Sequence, residues 1–468
     1  MINNETIAAV ATALSESGIG IIRVSGPDAV DIVNKIFFNK AGKQFLSSVE
    51  SHTINYGYIH SLEDNSVIDE CLVSVMLAPR SFTGENTVEI NCHGGVYVVK
   101  RVLFEVLNAG ARMAEPGEFS KRAFLNGRLD LSEAEAVMDV ISSKSESSLK
   151  ASLSQLSGSV SKKIRELRAA ILYEIAFIES ALDDPEHISL DGYKERISEH
   201  LENWITDINK LIDSNKNGRY LRDGISTVLL GKPNAGKSSI MNFLLGNDRA
   251  IVTEIAGTTR DTLEEYVKID DISLKLIDTA GIRETDNTVE AIGVERAREA
   301  AQNADLILYV VDVSSDISQK DIELIKMFPD KKGIVILNKN DLINSVAAKD
   351  NNILLSLIDN VNDYPIVNFS AVTGTGFDEL RSIINDMFCS GLIKNSDQVV
   401  ITNIRHKECL EDCLRGLLNV RNSVDNDMEE DFYSIDLMDA YSSLGKIIGE
   451  EIEDDLATEI FSKFCLGK

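Results

Sequence analysis

The chain has 468 residues, of which 44% are hydrophobic and 26% are charged, and its formal net charge is −28. This length favours about three domains, and so acidic a surface excludes general binding to nucleic acid phosphates unless a local basic patch or a basic partner is present. No apolar run reaches the roughly 18 residues that a membrane span needs, and the N-terminus lacks the basic segment of a secretory signal. We therefore expect a cytoplasmic protein with no membrane span.

The six cysteines are scattered without the CxxC spacing that is typical of zinc sites. This usage fits a reducing compartment and argues against a disulfide framework. Cys409 and Cys413 lie one helical turn apart, and we interpret them as buried thiols of one helix.

Residues 1–118 combine short β-branched runs with Gly and Pro turns, a texture that predicts an α+β region. One helix is predicted at Val96–Asn108, because Ala109 and Gly110 provide its stop signal.

Residues 119–222 have a helical pattern, because apolar residues recur there at spacings of three and four. Pro185 interrupts this helical stretch. Another helix is predicted to start near Leu131, with Ser132 as its N-cap and Glu135 as the capping-box partner.

Residues 223–390 alternate strands with helices, and their continuous apolar runs are typical of buried parallel strands. The pattern predicts a doubly wound α/β domain with a mostly parallel sheet. After Ser390 the helical texture returns, so we expect this domain to be inserted into an all-α domain whose halves are 119–222 and 391–468. The predicted strands of the inserted domain are Ile225–Leu230, Leu274–Ile277, Leu306–Val313, Gly333–Leu337 and Ile366–Phe369.

The first of these strands is followed by GKPNAGKS at Gly231–Ser238, which matches the P-loop pattern GxxxxGK[ST]. In such a loop, backbone N–H groups surround the phosphates, Lys237 reaches the β- and γ-phosphates, and Ser238 ligates Mg²⁺. A Gly-rich turn between a strand and a helix is the alternative, and the motifs that follow disfavour it.

The second motif, DTAG, follows the strand that contains LKLI. Its Asp278 carboxylate is expected near Mg²⁺, and the N–H of Gly281 near the γ-phosphate. Thr258 and Thr259 lie between the two motifs, where a switch loop must supply a hydroxyl to the metal.

The third motif is NKND, which matches NKxD and follows another strand. Asp341 can accept two hydrogen bonds from the guanine ring, and such pairing gives discrimination of about 10⁴-fold. Ser370 and Ala371, after the last strand, are expected to place a backbone N–H at the guanine oxygen. Motifs in this order predict a domain that binds GTP.

The hydrolysis step departs from the Ras pattern, because Ile282 stands where Ras-like enzymes carry the glutamine that orients the attacking water. Ile282 has no polar atom, so Glu284, Asp286 and Glu290 are the candidates for that role. The sequence identifies no arginine finger, but a cation could supply similar electrostatics.

Four segments together resemble the bacterial tRNA modification GTPase family MnmE (TrmE). They are NAGKSS, TEIAGTTRD, DTAGIRET and the C-terminal FCLGK. The similarity extends over the whole chain, since the first 136 residues also contain GIGIIRVSG, SFTGEN, NCHGG and PGEFSKRAFLNGRLDLSEAEA.

The resemblance implies a folate-binding and dimerising domain at 1–118, a helical domain at 119–222 plus 391–468, and a GTPase domain at 223–390. It also implies a homodimer that forms a heterotetramer with MnmG, a larger partner that carries FAD. Together they would add an aminomethyl or carboxymethylaminomethyl group to carbon 5 of the wobble uridine of certain tRNAs. The one-carbon donor would be 5,10-methylene-tetrahydrofolate, for which a 5-formyl derivative is an analogue.

For hydrolysis, the resemblance implies that K⁺ takes the place of an arginine finger when the GTPase domains of a dimer approach each other. Mg²⁺ would be held by Ser238 and Thr259. The K⁺ ligands would be Asn234, Thr253, Ile255 and Thr258.

The resemblance also gives Glu290 the role of orienting water, with Lys237 as the second catalytic residue. A solvated residue at a helix start is the alternative for Glu290. The nucleotide-binding set implied in full is Asn234, Ala235, Gly236, Lys237, Ser238, Ser239, Thr253, Glu254, Ile255, Ala256, Gly257, Thr258, Thr259, Asp278, Thr279, Ala280, Gly281, Asn338, Lys339, Asp341, Ser370 and Ala371.

For folate, the matching positions are Arg23, Glu85, Arg128 and Lys468. A pterin pairs with a carboxylate and a glutamate tail pairs with cations, so this set makes chemical sense. Arg128 occupies a position that can be lysine in the family, and its planar fork differs from a point charge. Without the resemblance, Arg23 and Arg128 would be interpreted as surface residues.

A regulatory or ribosome-assembly GTPase switch is the alternative function, because such proteins share the isoleucine after DTAG. They usually append a basic RNA-binding module. Here residues 391–468 carry 17 Asp and Glu against 8 Lys and Arg. The acidic flanks and the terminal motifs therefore favour tRNA modification.

Overall fold

The computed structural model describes residues 5–247, 264–277, 298–315, 317, 319–342, 364–389, 399–451, 454–464 and 467. These residues form two sheets and a large helical region. The predicted fold class, with α+β, all-α and α/β parts, is confirmed.

The N-terminal region is a mixed sheet covered by two helices. Its strands are β1 (Ile7–Val10), β2 (Ser17–Ser25), β3 (Phe37–Phe38), β4 (Thr53–His60), β5 (Val67–Met76), β6 (Thr87–Gly94) and β7 (Arg112–Met113), and its helices are α1 (Ala29–Ile36) and α2 (Val96–Asn108), with a 3-10 turn at Leu46–Ser48. The strand order is β3-β4-β5-β6-β2-β1-β7. β1 pairs with β7 in parallel, and apolar side chains of both helices pack against the sheet. The predicted helix at Val96–Asn108 is confirmed.

Five helices follow this sheet. They are α3 (Glu118–Leu125), α4 (Leu131–Ser142), α5 (Glu146–Leu156), α6 (Ser159–Asp183) and α7 (Tyr193–Asp223). Pro185 lies in the connection between α6 and α7, so the predicted interruption is confirmed.

The second sheet follows α7 after Gly224. Its strands are β8 (Ile225–Leu230), β9 (Glu264–Ile269), β10 (Ile272–Ile277), β11 (Leu306–Asp312), β12 (Lys332–Asn338) and β13 (Ile366–Asn368), and its helices are α8 (Lys237–Asn247), α9 (Gln319–Lys326) and α10 (Phe377–Cys389), with a 3-10 turn at Asn340–Leu342 and further helical residues at 298–303. The strand order is β13-β12-β11-β8-β10-β9. The five predicted strands are confirmed as parallel neighbours, whereas the antiparallel strand β9 was not predicted.

The chain then returns to the helical region as α11 (Ile404–Asp425), α12 (Glu430–Ile448) and α13 (Asp454–Ser462). α11 and α12 share one apolar core with α6 and α7. Cys409 and Cys413 lie in this core as buried, unbridged thiols, as predicted.

The helix starts at Leu131 as predicted, but the predicted N-cap, Ser132, is wrong by two residues. The N-cap is Asp130, whose side chain accepts a hydrogen bond from the N–H of Glu133 at 3.0 Å. The Glu133 carboxylate in turn accepts from the N–H of Asp130 at 2.9 Å. Two overlapping capping boxes were available in the sequence, and the box that leaves Glu135 available for buried partners is the one that forms.

Within the described residues, no helix is long and apolar enough to cross a membrane. The same part of the chain contains no group of three or more His, Cys, Asp or Glu side chains placed to hold a metal ion.

Candidate nucleotide site

The P-loop connects the central strand β8 to α8, which begins at Lys237. Asn234 and Gly236 have φ angles of 64° and 97°, so the backbone of the loop curls tightly. A Cβ atom on Gly236 would lie 2.1 Å from Nδ2 of Asn338, so the loop can approach Asn338 at the end of β12 only because residue 236 has no side chain. This geometry builds the concave backbone surface that a phosphate group needs.

Lys237 folds back over the loop that it follows. Its Nζ donates hydrogen bonds to the carbonyl oxygens of Gly231 and Lys232, both at 2.8 Å. Burial lowers the pKa of this ammonium group below its usual value. The two carbonyls therefore hold a cation against the loop, beside the exposed Ser238 and Ser239 of the first turn of α8.

Asn338 joins the P-loop to the loop after β13. It is 2% exposed, and its Nδ2 donates to the carbonyl oxygen of Ala235 at 3.0 Å. Its Oδ1 accepts from the N–H of Ala371 at 3.4 Å. Three segments that the sequence predicted as parts of one site are thus brought together by one buried amide.

Asp341 is fixed by a residue of another loop. The hydroxyl of Ser370 donates to Oδ1 of Asp341 at 2.6 Å, and Ser370 is 1% exposed whereas Asp341 is exposed. The sequence interpretation gave Ser370 only a backbone role, so its hydroxyl is an additional contribution that orients the carboxylate.

Asp312 pairs with a residue of the NKxD motif, and sequence reasoning missed it. Nζ of Lys339 lies 2.5 Å from Oδ2 of Asp312. Burial raises the pKa of Asp312, but hydrogen bonds from Lys339 and Ser314 outweigh it and hold that pKa below the usual value. The available signal was the position of Asp312 at the carboxyl end of a buried strand, where this class of fold places its ligand-binding residues.

A second missed pair ties the P-loop to α9. Lys232 forms an ion pair with Asp321, which is 6% exposed. The pair restrains the P-loop from the side of the sheet that carries α9.

Several predicted site residues lie outside the described residues. They are Thr253, Glu254, Ile255, Ala256, Gly257, Thr258, Thr259, Asp278, Thr279, Ala280, Gly281, Glu290 and Lys468.

Arg23 lies near the end of the chain in space. Its Nη2 is 2.8 Å from Oε1 of Glu89, and its Nη1 donates to the carbonyl oxygen of Gly467 at 3.4 Å. The rings of Phe82 and Phe119 lie 5.6 and 5.7 Å from its guanidinium carbon. The structure therefore places Arg23 next to the residue that precedes Lys468.

Glu85 is held against β2, the strand that carries Arg23. The hydroxyl of Ser25 on this strand donates a hydrogen bond to Oε2 of Glu85 at 2.8 Å. The buried Arg122, which sequence reasoning missed, lies 3.2 Å from Oε1 of Glu85. Arg128 is exposed, and it lines a separate cleft with Phe124, Arg165 and Glu450.

A mostly parallel sheet with a P-loop lysine, an NKxD motif and a Ser-Ala loop at its strand ends defines the class of P-loop GTPases. The chain also matches the MnmE helical domain over residues 131–465 and the GTP-binding protein TrmE N-terminus over residues 6–128. It is 49% identical over 464 residues to tRNA modification GTPase MnmE of Lachnoclostridium phytofermentans, and the match covers 99% of each chain. The chain belongs to the MnmE family of tRNA modification GTPases.

A second relative agrees with this assignment. The tRNA modification GTPase MnmE of Staphylococcus aureus strain Newman is 44% identical over 465 residues, with 99% of each chain covered. Among solved structures, the G domain of the T. maritima FeoB iron transporter is 27% identical and covers 34% of this chain and 96% of that chain, with a TM-score of 0.25. The full-length similarity to the two proteins named tRNA modification GTPase MnmE shows that the protein is a GTP hydrolase of the MnmE family, and enzymes of this class use GTP with Mg²⁺.

Proposed function

We propose that this GTPase modifies tRNA as a homodimer, in a heterotetramer with the FAD-dependent protein MnmG. The product is an aminomethyl or carboxymethylaminomethyl group on carbon 5 of the wobble uridine. Similarity over 99% of the chain to two proteins named tRNA modification GTPase MnmE is the observation that carries this proposal. The proposed domains are 1–118 for folate and dimerisation, 119–222 plus 391–468 for the helical domain, and 223–390 for the GTPase.

The proposed guanine site uses Asp341 to accept hydrogen bonds from the base. Its support is the Ser370 hydroxyl, which holds one carboxylate oxygen at 2.6 Å and so fixes the plane of the group. Asn338 supports the same site because it holds the P-loop and the loop of Ala371 at a fixed separation. An analogue without the guanine donors leaves the Asp341 carboxylate unpaired, which is the basis of selectivity.

The proposed phosphate site uses the P-loop N–H groups and Lys237. Two backbone carbonyls already hold the ammonium group over the loop. To bind the β- and γ-phosphates, the ammonium group exchanges these carbonyl oxygens for phosphate oxygens. Ser238 and Thr259 are proposed as Mg²⁺ ligands, since a hydroxyl and phosphate oxygens are the hard donors that Mg²⁺ prefers. The metal supplies charge neutralisation at the phosphates.

We propose K⁺ as a second cation, with Asn234, Thr253, Ile255 and Thr258 as its ligands and Glu290 as the residue that orients water. Asn234 supports this because its left-handed backbone, with φ of 64°, sets it at the exposed tip of the P-loop. A side-chain amide oxygen there is chemically suited to a monovalent cation.

We propose a tetrahydrofolate derivative as the one-carbon source, bound by Arg23, Glu85, Arg128 and Lys468. Support comes from the contact between Arg23 and Gly467, which brings the last residues of the chain to β2. Glu85 offers a carboxylate to a pterin, while the cations offer partners for a glutamate tail.

The proposed homodimer is supported by the outer face of the N-terminal sheet. Ile54, Tyr56 and Leu72 are 69%, 49% and 46% exposed on β4 and β5, and Tyr56 and Leu72 are cross-strand partners. Exposed apolar side chains grouped on one sheet face are typical of a protein interface.

The function is tested by complementation of a bacterial strain that lacks its own MnmE. We expect this chain to restore the modified wobble uridine in digested tRNA, whereas Lys237→Ala, which removes the phosphate-binding cation, does not. An unchanged nucleoside pattern with a chain that still hydrolyses GTP would contradict the proposal and favour the regulatory or ribosome-assembly switch.

The K⁺ proposal predicts faster GTP turnover in KCl than in NaCl at equal ionic strength, because Na⁺ does not match the same ligand cage. An arginine finger is worth about 10³-fold or more in rate, and we expect a cation in its place to act on the same scale. Turnover is measured by phosphate release, and Asn234→Ala is expected to remove the difference. Equal rates in the two salts would refute the role of K⁺.

A further inference from the structure

Helix α4 carries two buried carboxylates one turn apart, Glu135 and Asp139, which are 8% and 4% exposed. They lie beside the two places where the chain crosses between the helical region and the GTPase sheet. The first crossing is at Arg222–Ile225, and the return crossing is at Ile401–Asn403. Neither carboxylate belongs to the nucleotide site.

Asp139 holds the first crossing. Its Oδ1 lies 2.9 Å from Nε of Arg222, in the last turn of α7. Three residues later the chain enters β8 at Ile225, and β8 runs straight to the P-loop. The connection from Asp139 to the phosphate site therefore consists of the end of α7 and the central strand β8.

The return crossing is held at the same point. The Thr402 hydroxyl lies 3.5 Å from Oδ2 of Asp139 and 3.1 Å from Oε1 of Gln155. The amide of Asn215, in α7, donates to the carbonyl oxygens of Ile401 and Asn403 at 3.2 and 3.4 Å. These polar groups are buried, so α4, α7 and the return crossing form one hydrogen-bonded unit.

Glu135 extends this unit to the start of α11. Its two oxygens accept from Nε and Nη2 of Arg405 at 2.9 and 2.7 Å, and Nε2 of the fully buried His406 lies 2.7 Å away. Arg405 also donates to the carbonyl oxygens of Lys446 and Ile447, at the end of α12. A bidentate pair of this kind fixes orientation as well as distance.

The other end of α4 contacts the C-terminal segment. Leu131 and Ala134 form one buried cluster with Phe461 and Phe464. A few residues further on, Gly467 reaches Arg23 of the N-terminal sheet. One helix therefore connects both crossings of the GTPase region with the residues that pack against the N-terminal region.

We infer that Glu135 and Asp139 are positioning residues that transmit the nucleotide state of the GTPase region to α4 and to the C-terminal segment packed on it. The Asp139 carboxylate contacts both crossings, through Arg222 at the first and Thr402 at the second. A rotation of the GTPase sheet that moves Arg222 relative to Thr402 must therefore move α4 or break one of these contacts. The inference rests on the GTPase activity and not on the proposed folate or K⁺ sites.

Hydrogen exchange of the full chain, loaded with GDP or with a non-hydrolysable GTP analogue, tests this inference. We expect the amides of 131–142 and 454–464 to exchange at different rates in the two states. Binding of both nucleotides is verified in the same samples by displacement of a fluorescent GDP, so failure of the nucleotide site is distinguished from failure of coupling. Identical exchange of both segments in two loaded states would overturn the inference.

Variants separate transmission from mere stability. Asp139→Asn is expected to abolish the difference between the two nucleotide states while GTP turnover at saturation is retained. Thr402→Val is expected to reduce the difference and Thr402→Ser to retain it, which provides a second measurement if Asp139→Asn does not fold. Glu146→Gln, which breaks an exposed pair with Lys150 on the next helix, is the matched control. A full difference in both Asp139→Asn and Thr402→Val would also overturn the inference.

Discussion

Asp341 is the residue that we propose selects the base, and the Ser370 hydroxyl fixes one of its carboxylate oxygens. Asp341→Asn replaces an acceptor with a donor, so we expect preference to shift from GTP toward XTP, with a loss for GTP on the order of 10⁴-fold. Competition between the two nucleotides for a fluorescent GDP measures the shift. Unchanged selectivity would show that another group selects the base, and Ser370→Ala is expected to weaken GTP binding without inverting the preference.

A substitution at Gly236 tests whether the backbone geometry of the P-loop is needed for turnover. A Cβ there would lie 2.1 Å from the Asn338 amide, so Gly236→Ala must displace the group that aligns three loops. We expect kcat for GTP to fall about a hundredfold, the scale on which a misplacement of 1 Å acts. The control is Gly246→Ala in α8, where a Cβ meets nothing within 4 Å and about 0.5–1 kcal/mol of stability is gained. Equal rates for both variants would contradict this geometry.

At the residue scale, sequence reasoning found the groups that belong to short motifs and missed those that depend on pairing. Lys237, Asn338 and Asp341 follow from spacing alone. Asp312 and the hydroxyl role of Ser370 depend on which loops meet at the strand ends, and a sequence does not contain those distances. The predicted N-cap of α4 was wrong for a similar reason. Glu135 pairs with Arg405, which is 270 residues away in the chain, and so does not act as a capping partner.

At the element scale, α4 is held by charges that should respond to acid. Burial raises the pKa of Glu135, but His406 and Arg405 outweigh it and lower the pKa to about 2, from an ordinary value of 4.5. Since the folded pKa is depressed, the stabilisation is complete above pH 4.5 and is lost as the pH falls toward 2. Glu135 therefore contributes to stability at neutral pH and progressively less in acid.

Glu135→Gln is expected to lower the free energy of unfolding of the helical core by about 3–5 kcal/mol at pH 7, as breaking a buried pair does. The difference in the free energy of unfolding between Glu135→Gln and the unaltered protein should become smaller as the pH falls below 4.5. Urea unfolding followed by Trp204 measures it, since this single tryptophan lies in the helical core. Glu146→Gln serves as the exposed control, and a gap that widened in acid would be inconsistent with the depressed pKa.

The strands of the GTPase sheet were predictable because parallel strands are buried on both faces and so are continuously apolar. β9 escaped prediction because it pairs with one neighbour, β10, and alternates inward and outward residues. Val267 and Ile269 are fully buried while Lys268 is exposed. This alternation was the available signal, but it spans only a few residues.

At the scale of the whole molecule, the start of α3 and the C-terminal segment are joined by a close backbone contact. Gly117 has a φ of 69°, and a Cβ there would lie 2.3 Å from the carbonyl oxygen of Phe461. Gly117→Ala should therefore displace the C-terminal segment, at a cost of about 1–3 kcal/mol. Hydrogen exchange of 454–464 is expected to accelerate.

The control for that variant is Gly42→Ala, which has a similar φ of 71° but no atom within 4 Å of the added Cβ. It carries the same backbone strain without the collision. If both variants accelerated exchange at 454–464 equally, the contact between Gly117 and Phe461 would not be what holds the segment. The contact itself could not have been predicted, because more than 340 positions separate the two residues in the chain.

The shared core of α6, α7, α11 and α12 has a consequence for synthesis on the ribosome. The first two helices emerge before the GTPase sheet, and their apolar faces meet their partners only after residue 401. At translation rates of 5–20 residues per second, this leaves those faces uncovered for roughly 10–35 s. The sheet, by contrast, can close on its own residues in that interval. A nascent chain paused just after the GTPase region thus carries a complete nucleotide-binding sheet attached to an uncovered pair of helices, which is the form that chaperones would meet.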